Sequence, residues 1–266
     1  MTKNYDQFNY SLTGSKNKPV ILFLHGFMGN CDDFKEVIAL VSNQFCCLTI
    51  DLPGHGQTKV QQDEYYTMEK TAQALIELLQ KLDINQCFLV GYSLGGRIAL
   101  YLTIYFPQYF NRVILESASP GLVTLTERNQ RIKQDLKLAE ELESIELIQF
   151  LNKWYSNPLF ASFTEHPQFQ KALTRKLNND PLKLAKSLRN IGTGIQPSLW
   201  KQLSSNQVPL MLLVGELDQK FIAINHQIAN LCAQAQLNIV QNSGHNIHFE
   251  YPLELAKTID FFFKET

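Results

Sequence analysis

The stretch VGYSLGGR, Val90 to Arg97, constrains this chain more than any other. It closes a short apolar run, CFLVG (87–91), and opens a helical pattern from Leu94 to Tyr105 that stops before Pro107. Passing from strand to helix within three residues needs a sharp backbone turn, and glycines at 91 and 95 free the backbone to make it. Such a turn leaves the Ser93 hydroxyl at its tip. The sequence therefore predicts a strand–serine–helix elbow.

The rest of the chain supplies a sheet around it. PVILFLHG (19–26), FCCLTIDLPGHG (45–56), RVILES (112–117), PLMLLVGE (209–216) and LNIVQN (237–242) each contain a short apolar run that ends in turn residues. Helical spacing separates them. DDFKEVIALVS follows the first run. Met68, Ala72, Leu75, Leu79 and Leu82 mark one face of a helix capped by Thr67, and FFF (261–263) is expected to pack a last helix. Alternating strands and helices predict an α/β fold with a mostly parallel sheet and helices on both faces. From about Pro120 to Gln207 the rhythm breaks. Leu136, Ala139, Leu142 and Ile145 repeat at helical spacing, and no buried strand is evident. The reading is a core of residues 1–119 and 208–266, with residues 120–207 as a helical lid inserted between two strands.

Composition narrows the function classes. Hydrophobic residues make up 45% of the 266, net charge is −1, and no basic run occurs, so nothing points to a nucleic-acid groove or an anionic-membrane surface. The N-terminal MTKNYDQFNY has no apolar signal core, and no apolar run approaches the roughly 20 residues of a membrane span. Five cysteines, with Cys46 and Cys47 adjacent in an apolar run and no C-x-x-C, read as reduced core residues. The expectation is a cytoplasmic protein with no membrane insertion.

A serine hydroxyl needs a base, and the base needs an orienting carboxylate. On a sheet of this order the acid and then the histidine should follow later strands. Asp218 comes just after LMLLVGEL and His245 after LNIVQNSG, with Glu216 as the rival acid. Asp51 precedes the serine and is expected to organise the DLPGHG loop. His25 reads as a structural hydrogen-bonding residue. His248 completes an H-x-x-H with His245, but no acidic third ligand has suitable spacing, so no metal is expected. Oxyanion donors are expected at the backbone N–H of Leu94 and, from LHGFMGN, of Phe27. Together these features predict the α/β-hydrolase fold with a Ser93–His245–Asp218 triad. That fold hosts esterases, C–C hydrolases, lyases and binding-only receptors alike.

Arginine placement separates them. Of six arginines, Arg97 lies one helical turn beyond the serine, while Arg128, Arg131, Arg175 and Arg189 fall in the insert. A guanidinium fork holds carboxylates bidentately, so this arrangement points to a polycarboxylate small-molecule substrate.

Taken with LHGFMG, DLPGHG, GYSLGGRIAL, ESASPGL, ERNQR, WYSNPLFASF, SLRNIGTGIQPSLW, VGELDQKF and GHNIHFEYP, the chain resembles the 2-succinyl-6-hydroxy-2,4-cyclohexadiene-1-carboxylate synthases. These are α/β-hydrolase-fold lyases of menaquinone and phylloquinone biosynthesis. The insert motifs WYSNPLFASF and GTGIQPSLW are its most specific part. The resemblance implies no cofactor and a pyruvate-eliminating reaction in which Ser93, activated by His245, acts as a base. It implies carboxylate contacts from Arg97 and from Arg128 or Arg131. Arg175 or Lys176 would add a further contact, and Tyr92, Trp154 and Tyr155 would be pocket positions. The rival readings are a carboxylesterase or C–C bond hydrolase using the same triad, and a non-catalytic ligand receptor.

Overall fold

Seven strands form one sheet in the computed structural model, which describes residues 8–60 and 62–264. They are β1 (Tyr10–Thr13), β2 (Val20–Leu24), β3 (Cys46–Ile50), β4 (Cys87–Tyr92), β5 (Phe110–Glu116), β6 (Leu210–Gly215) and β7 (Ala235–Val240). Their spatial order is β1-β3-β2-β4-β5-β6-β7; β1 runs antiparallel to β3 and every other pairing is parallel. Residues 1–7, the polar part of the N-terminal stretch read above, lie outside the described residues.

Eleven α-helices accompany the sheet among the described residues. Before the insert come α1 (Lys35–Val41), α2 (Met68–Lys81) and α3 (Leu94–Tyr105). The insert carries α4 (Leu125–Ser144), α5 (Leu147–Tyr155), α6 (Ala161–Glu165), α7 (Phe169–Lys176) and α8 (Pro181–Ile191). After it come α9 (Gln219–Leu231), α10 (Ile247–Glu250) and α11 (Pro252–Lys264). No helix is long and apolar enough to cross a membrane among these residues.

Strand period two divides the core. Ile21 and Phe23 of β2 face a cluster formed with Val37 and Ile38 of α1 and Leu255, Ile259 and Phe262 of α11. Leu22 and Leu24 face the opposite side, against Leu75 of α2, Ile98 of α3 and Ile228 of α9. In the FFF triplet Phe262 and Phe263 are buried, while Phe261 points to solvent. The Thr67 side chain caps α2 by accepting from the Lys70 N–H.

Two elements depart from the sequence reading. β1 carried no signal because an antiparallel edge strand of only four residues, YSLT, buries little apolar surface. β7 begins at Ala235, two residues before the run read from sequence, and alternates exposed with part-buried positions as an edge strand does.

The insert has its own apolar cluster. Ala139, Leu142, Phe150, Phe163, Leu184 and Leu188 share it with Met28 and Phe249 of the core. A reciprocal capping box between Thr124 and Glu127 starts α4. The face of α4 differs from the one read in sequence: Leu136 is exposed and Asp135 is buried. Asp135 turns inward because it accepts from Arg131 Nε at 2.7 Å and from the Gly194 N–H at 3.1 Å.

Candidate active site

The elbow between β4 and α3 holds Ser93 at φ 50°, ψ −106°, a left-handed backbone that a serine rarely adopts. Three hydrogen bonds fix it. The Ser93 N–H donates to the Glu116 carbonyl at 2.9 Å, Gly95 N–H to the His25 carbonyl at 3.0 Å, and Arg97 N–H to the Ser93 carbonyl at 2.9 Å. A Cβ at residue 95 would lie 2.1 Å from the Leu24 carbonyl oxygen, so only glycine lets α3 pack this closely on β2.

His245 arrives on the loop after β7. Its Nδ1 lies 2.6 Å from Asp218 Oδ2, and its Nε2 lies 3.4 Å from Ser93 Oγ. With the Nδ1 proton directed at the carboxylate, the Nε2 lone pair faces the serine. Asp218 also caps α9, accepting from the Phe221 N–H at 3.3 Å, and it is buried with His245. The rival acid Glu216 accepts instead from the Asn242 N–H at 2.9 Å, in the turn after β7. The His245–Ser93 separation is long for a hydrogen bond, as is common before substrate is bound.

The loop after β2 is built on His25. The Leu52 N–H donates to its Nε2 at 3.0 Å, and its Nδ1 lies 2.7 Å from the Gly26 carbonyl. Burial holds the His25 pKa below its ordinary value, against the opposing pull of Asp33 and Asp51. Asp51 accepts from Cys31 N–H and Gln57 N–H, which ties the DLPGHG loop down as its position in the sequence predicts. Phe27 projects from this loop onto Trp154, with ring centroids 5.4 Å apart. Leu94 is the first residue of α3, so its N–H has no intrahelical carbonyl partner.

A cavity of ≈ 740 Å³ opens above the serine, of a size that holds a small organic substrate. Ser93, His245, Phe27, Leu94, Arg97, Arg131 and Trp154 line it. Arg97 Nη1 donates to the Ile191 carbonyl and to Gln196 Oε1, each at 3.0 Å. Both partners are neutral, and no carboxylate among the described residues pairs with this guanidinium. Burial, reinforced by repulsion from Arg131 and opposed by Asp135, pushes the Arg97 pKa down to about 9. A guanidinium with no paired carboxylate therefore faces the cavity.

Five residues expected at the pocket, Arg128, Arg175 or its alternative Lys176, Tyr92 and Tyr155, lie elsewhere. Arg128 donates to the Gly194 and Ile195 carbonyls and is used in holding the 192–200 loop. Arg175 Nη1 donates to the Asp32 carbonyl and its guanidinium lies over Phe249, where the insert meets the core away from the cavity lining. Its neighbour Lys176 is buried against Asp33 at 3.4 Å, also away from the cavity. Tyr92 is buried behind the triad, against the rings of His245 and His248. Burial and the nearby Glu116 carboxylate hold its phenol pKa well above the ordinary value. Tyr155 packs within the insert against Phe160, Phe163 and Phe169.

His248 takes the place that spacing left open for a metal ligand: its Nδ1 lies 2.7 Å from Glu116 Oε1. Sequence reasoning did not single out Glu116 or Lys220. Glu116 sits inside a strand-end apolar run. Lys220 lines the cavity two residues after Asp218, and its place in the first turn of α9 was the available signal.

The sequence model of the alpha/beta hydrolase fold matches residues 19–252. The chain is 31% identical over 239 residues to 2-succinyl-6-hydroxy-2,4-cyclohexadiene-1-carboxylate synthase of Escherichia coli O1:K1, covering 90% of this chain and 91% of that one. It is 33% identical over 244 residues to the enzyme of that name from Serratia proteamaculans, covering 91% and 92%. The solved structure of MenH from S. aureus superposes with a TM-score of 0.91 at 33% identity, over 97% of this chain and 98% of that chain. The chain belongs to the 2-succinyl-6-hydroxy-2,4-cyclohexadiene-1-carboxylate synthase family of the α/β-hydrolase fold.

Proposed function

We propose that this protein eliminates pyruvate from 2-succinyl-5-enolpyruvyl-6-hydroxy-3-cyclohexene-1-carboxylate to give 2-succinyl-6-hydroxy-2,4-cyclohexadiene-1-carboxylate. The two names define the bond changes. The proton on ring C2, acidified by the succinyl ketone, is lost. A C2=C3 double bond forms, the C3=C4 double bond moves to C4=C5, and the C5–O bond breaks. The enolate of pyruvate departs, takes up a proton and becomes pyruvate.

His245 Nε2 accepts the Ser93 Oγ proton while Asp218 holds the imidazole in the required tautomer. Ser93 Oγ then takes the C2 proton, and His245 returns a proton to the departing enolate. The succinyl ketone oxygen gains charge as C2 is deprotonated, and the N–H groups of Phe27 and Leu94 are the donors assigned to it. No acyl-enzyme forms, so Ser93 is a base rather than a nucleophile. The lid of residues 120–207 covers the cavity and supplies Arg131 and Trp154.

The observation that carries this reading is Arg97: a cavity-facing guanidinium beside the serine, bonded only to neutral groups. An esterase for simple esters has no use for it, whereas a substrate with three carboxylates supplies its missing countercharge. The test pairs wild type with Arg97→Ala, following pyruvate release from the pathway intermediate and hydrolysis of a simple aryl ester. Wild type should release pyruvate and barely touch the ester. The variant should lose about 2 kcal/mol of transition-state binding, roughly thirtyfold in kcat/KM. Ester cleavage with burst kinetics and no pyruvate would make Ser93 a nucleophile and the protein a carboxylesterase or C–C hydrolase. Ligand binding with no turnover of either substrate would make it a receptor.

A further inference from the structure

We propose that Lys220 is a carboxylate-binding residue of the cavity, completing with Arg97 and Arg131 a set of three cations that selects a tricarboxylate over a dicarboxylate. The inference rests on the pyruvate-elimination reading for its natural substrate, whose ring, succinyl and enolpyruvyl groups each carry one carboxylate.

Two helix faces frame the upper cavity. From α4 come Glu127, Arg131, Gln134 and Leu138, spaced by four, three and four residues. From α9 come Lys220, Phe221, Ile224 and Gln227, again one helical stripe. The apolar and amide members form walls, and each stripe contributes one cation. Arg131 and Lys220 act on each other as like charges, as do Arg131 and Arg97.

Lys220 lines the cavity while remaining open to solvent. It lies in the first turn of α9, where the positive end of the helix dipole disfavours a cation. Its ammonium has no carboxylate partner within 4 Å among the described residues; it reaches only the ring of Phe221, 5.6 Å away. The nearest acid, Asp218, is already engaged with His245 and the Phe221 N–H. Partial burial at the cavity wall and repulsion from Arg131 lower the Lys220 pKa from its ordinary value, with Asp218 opposing, although the residue as a whole stays exposed. The other charged groups on the cavity wall have hydrogen-bonding partners within the fold, and Glu127 remains an anion there. Lys153 is held by both oxygens of Glu141 at 2.7 Å, and Glu127 by its capping box. With no carboxylate of the fold engaging it, this lysine is free to pair with an anionic ligand in the cavity.

The experiment compares wild type, Lys220→Met and Lys220→Arg in two assays. The first is steady-state pyruvate release. Lys220→Met should raise KM about tenfold with kcat within about twofold, and Lys220→Arg should restore KM, since a removed charge contact acts on binding. Its thermal midpoint should equal or exceed that of wild type, because no native partner is lost. The second assay is calorimetric binding of propane-1,2,3-tricarboxylate and of succinate. The methionine variant should lose about tenfold in tricarboxylate affinity and little in succinate affinity. An unchanged KM and unchanged tricarboxylate binding would overturn the assignment. So would a fall in kcat alone, which would mean that Lys220 acts on the triad through Asp218. If wild type releases no pyruvate while tricarboxylate binding still depends on Lys220, the proposed reaction fails and the binding assignment stands.

Discussion

His248 gives two contacts to one oxygen of Glu116: its ring Nδ1 lies 2.7 Å and its backbone N 3.1 Å from Glu116 Oε1, and neither side chain is exposed. Glu116 also accepts the Ser93 N–H through its main-chain carbonyl. One residue at the end of β5 thus holds the serine elbow on one side and the turn after His245 on the other. Truncation of such a buried pair leaves the partner uncompensated. Glu116→Ala is expected to lose about 3 kcal/mol of unfolding free energy and to lower kcat more than it raises KM. Glu116→Gln, which keeps an acceptor at Oε1, should lose less of both. Denaturant unfolding with steady-state kinetics checks this, and a Glu116→Ala midpoint equal to wild type would show that the pair does not brace the site.

Asp218 and Glu216 compete for the same role in sequence, and the geometry separates them. Asp218 is 2.6 Å from His245, while Glu216 receives the Asn242 N–H. Asp218→Asn should lower kcat by about a thousandfold or more, because the imidazole loses the partner that fixes its tautomer. Glu216→Gln retains an acceptor for Asn242 and should leave kcat within about twofold. Comparable losses in the two variants would contradict the assignment of Asp218 as the orienting acid.

A stability change with pH follows from the His25 and His55 rings, whose centroids lie 5.1 Å apart under the oxyanion loop. Burial lowers both pKa values; Asp33 and Asp51 oppose it at His25, and at His55 the proximity of His25 adds to it. The folded state thus binds protons less readily than the unfolded chain. The contribution to stability is complete above about pH 6.5, the ordinary histidine value, and is lost as pH falls toward the folded pKa. Each histidine adds a slope of at most about 1.4 kcal/mol per pH unit in that window. Protonation of His25 also removes the acceptor for the Leu52 N–H. Unfolding midpoints measured from pH 7.5 to 5 should fall, and His55→Phe should flatten the fall. A midpoint independent of pH over this range would mean that neither ring is held neutral by the fold.

The legible parts of the chain were those in which local pattern and tertiary role coincide. Helix α3 runs from Leu94 to Tyr105 as its apolar periodicity and Pro107 require. Ser93, His245 and Asp218 were readable because strand ends, not long-range packing, put them together. The arginines were harder. Arg128 and Arg131 differ by less than one helical turn, yet one is drawn to the Gly194 and Ile195 carbonyls and the other to the cavity wall. Which of them faces substrate depends on how the 192–200 loop folds over α4, and no local periodicity encodes that. Glu116 was illegible for the same reason, since a lone acid at a strand end gives no sign of a partner 132 residues away. β1 escaped because an exposed edge strand has almost no hydrophobic pattern to read.

That division among the arginines is itself testable. Arg131 lines the cavity and pairs with Asp135, which keeps a second partner in the Gly194 N–H. Arg131→Ala should therefore raise KM for the pathway intermediate by about tenfold with a modest loss of stability. Arg128→Ala strips two loop carbonyls of their donor, so it should lower the unfolding midpoint, by about 1 kcal/mol, and affect KM less than Arg131→Ala does. Arg175→Ala removes a contact to the Asp32 carbonyl away from the cavity lining and should leave KM within about twofold of wild type. Steady-state pyruvate release and thermal unfolding on the three variants give the comparison. A KM increase for Arg175→Ala as large as that for Arg131→Ala would mean that α7 moves over the cavity when substrate binds and brings Arg175 to a carboxylate.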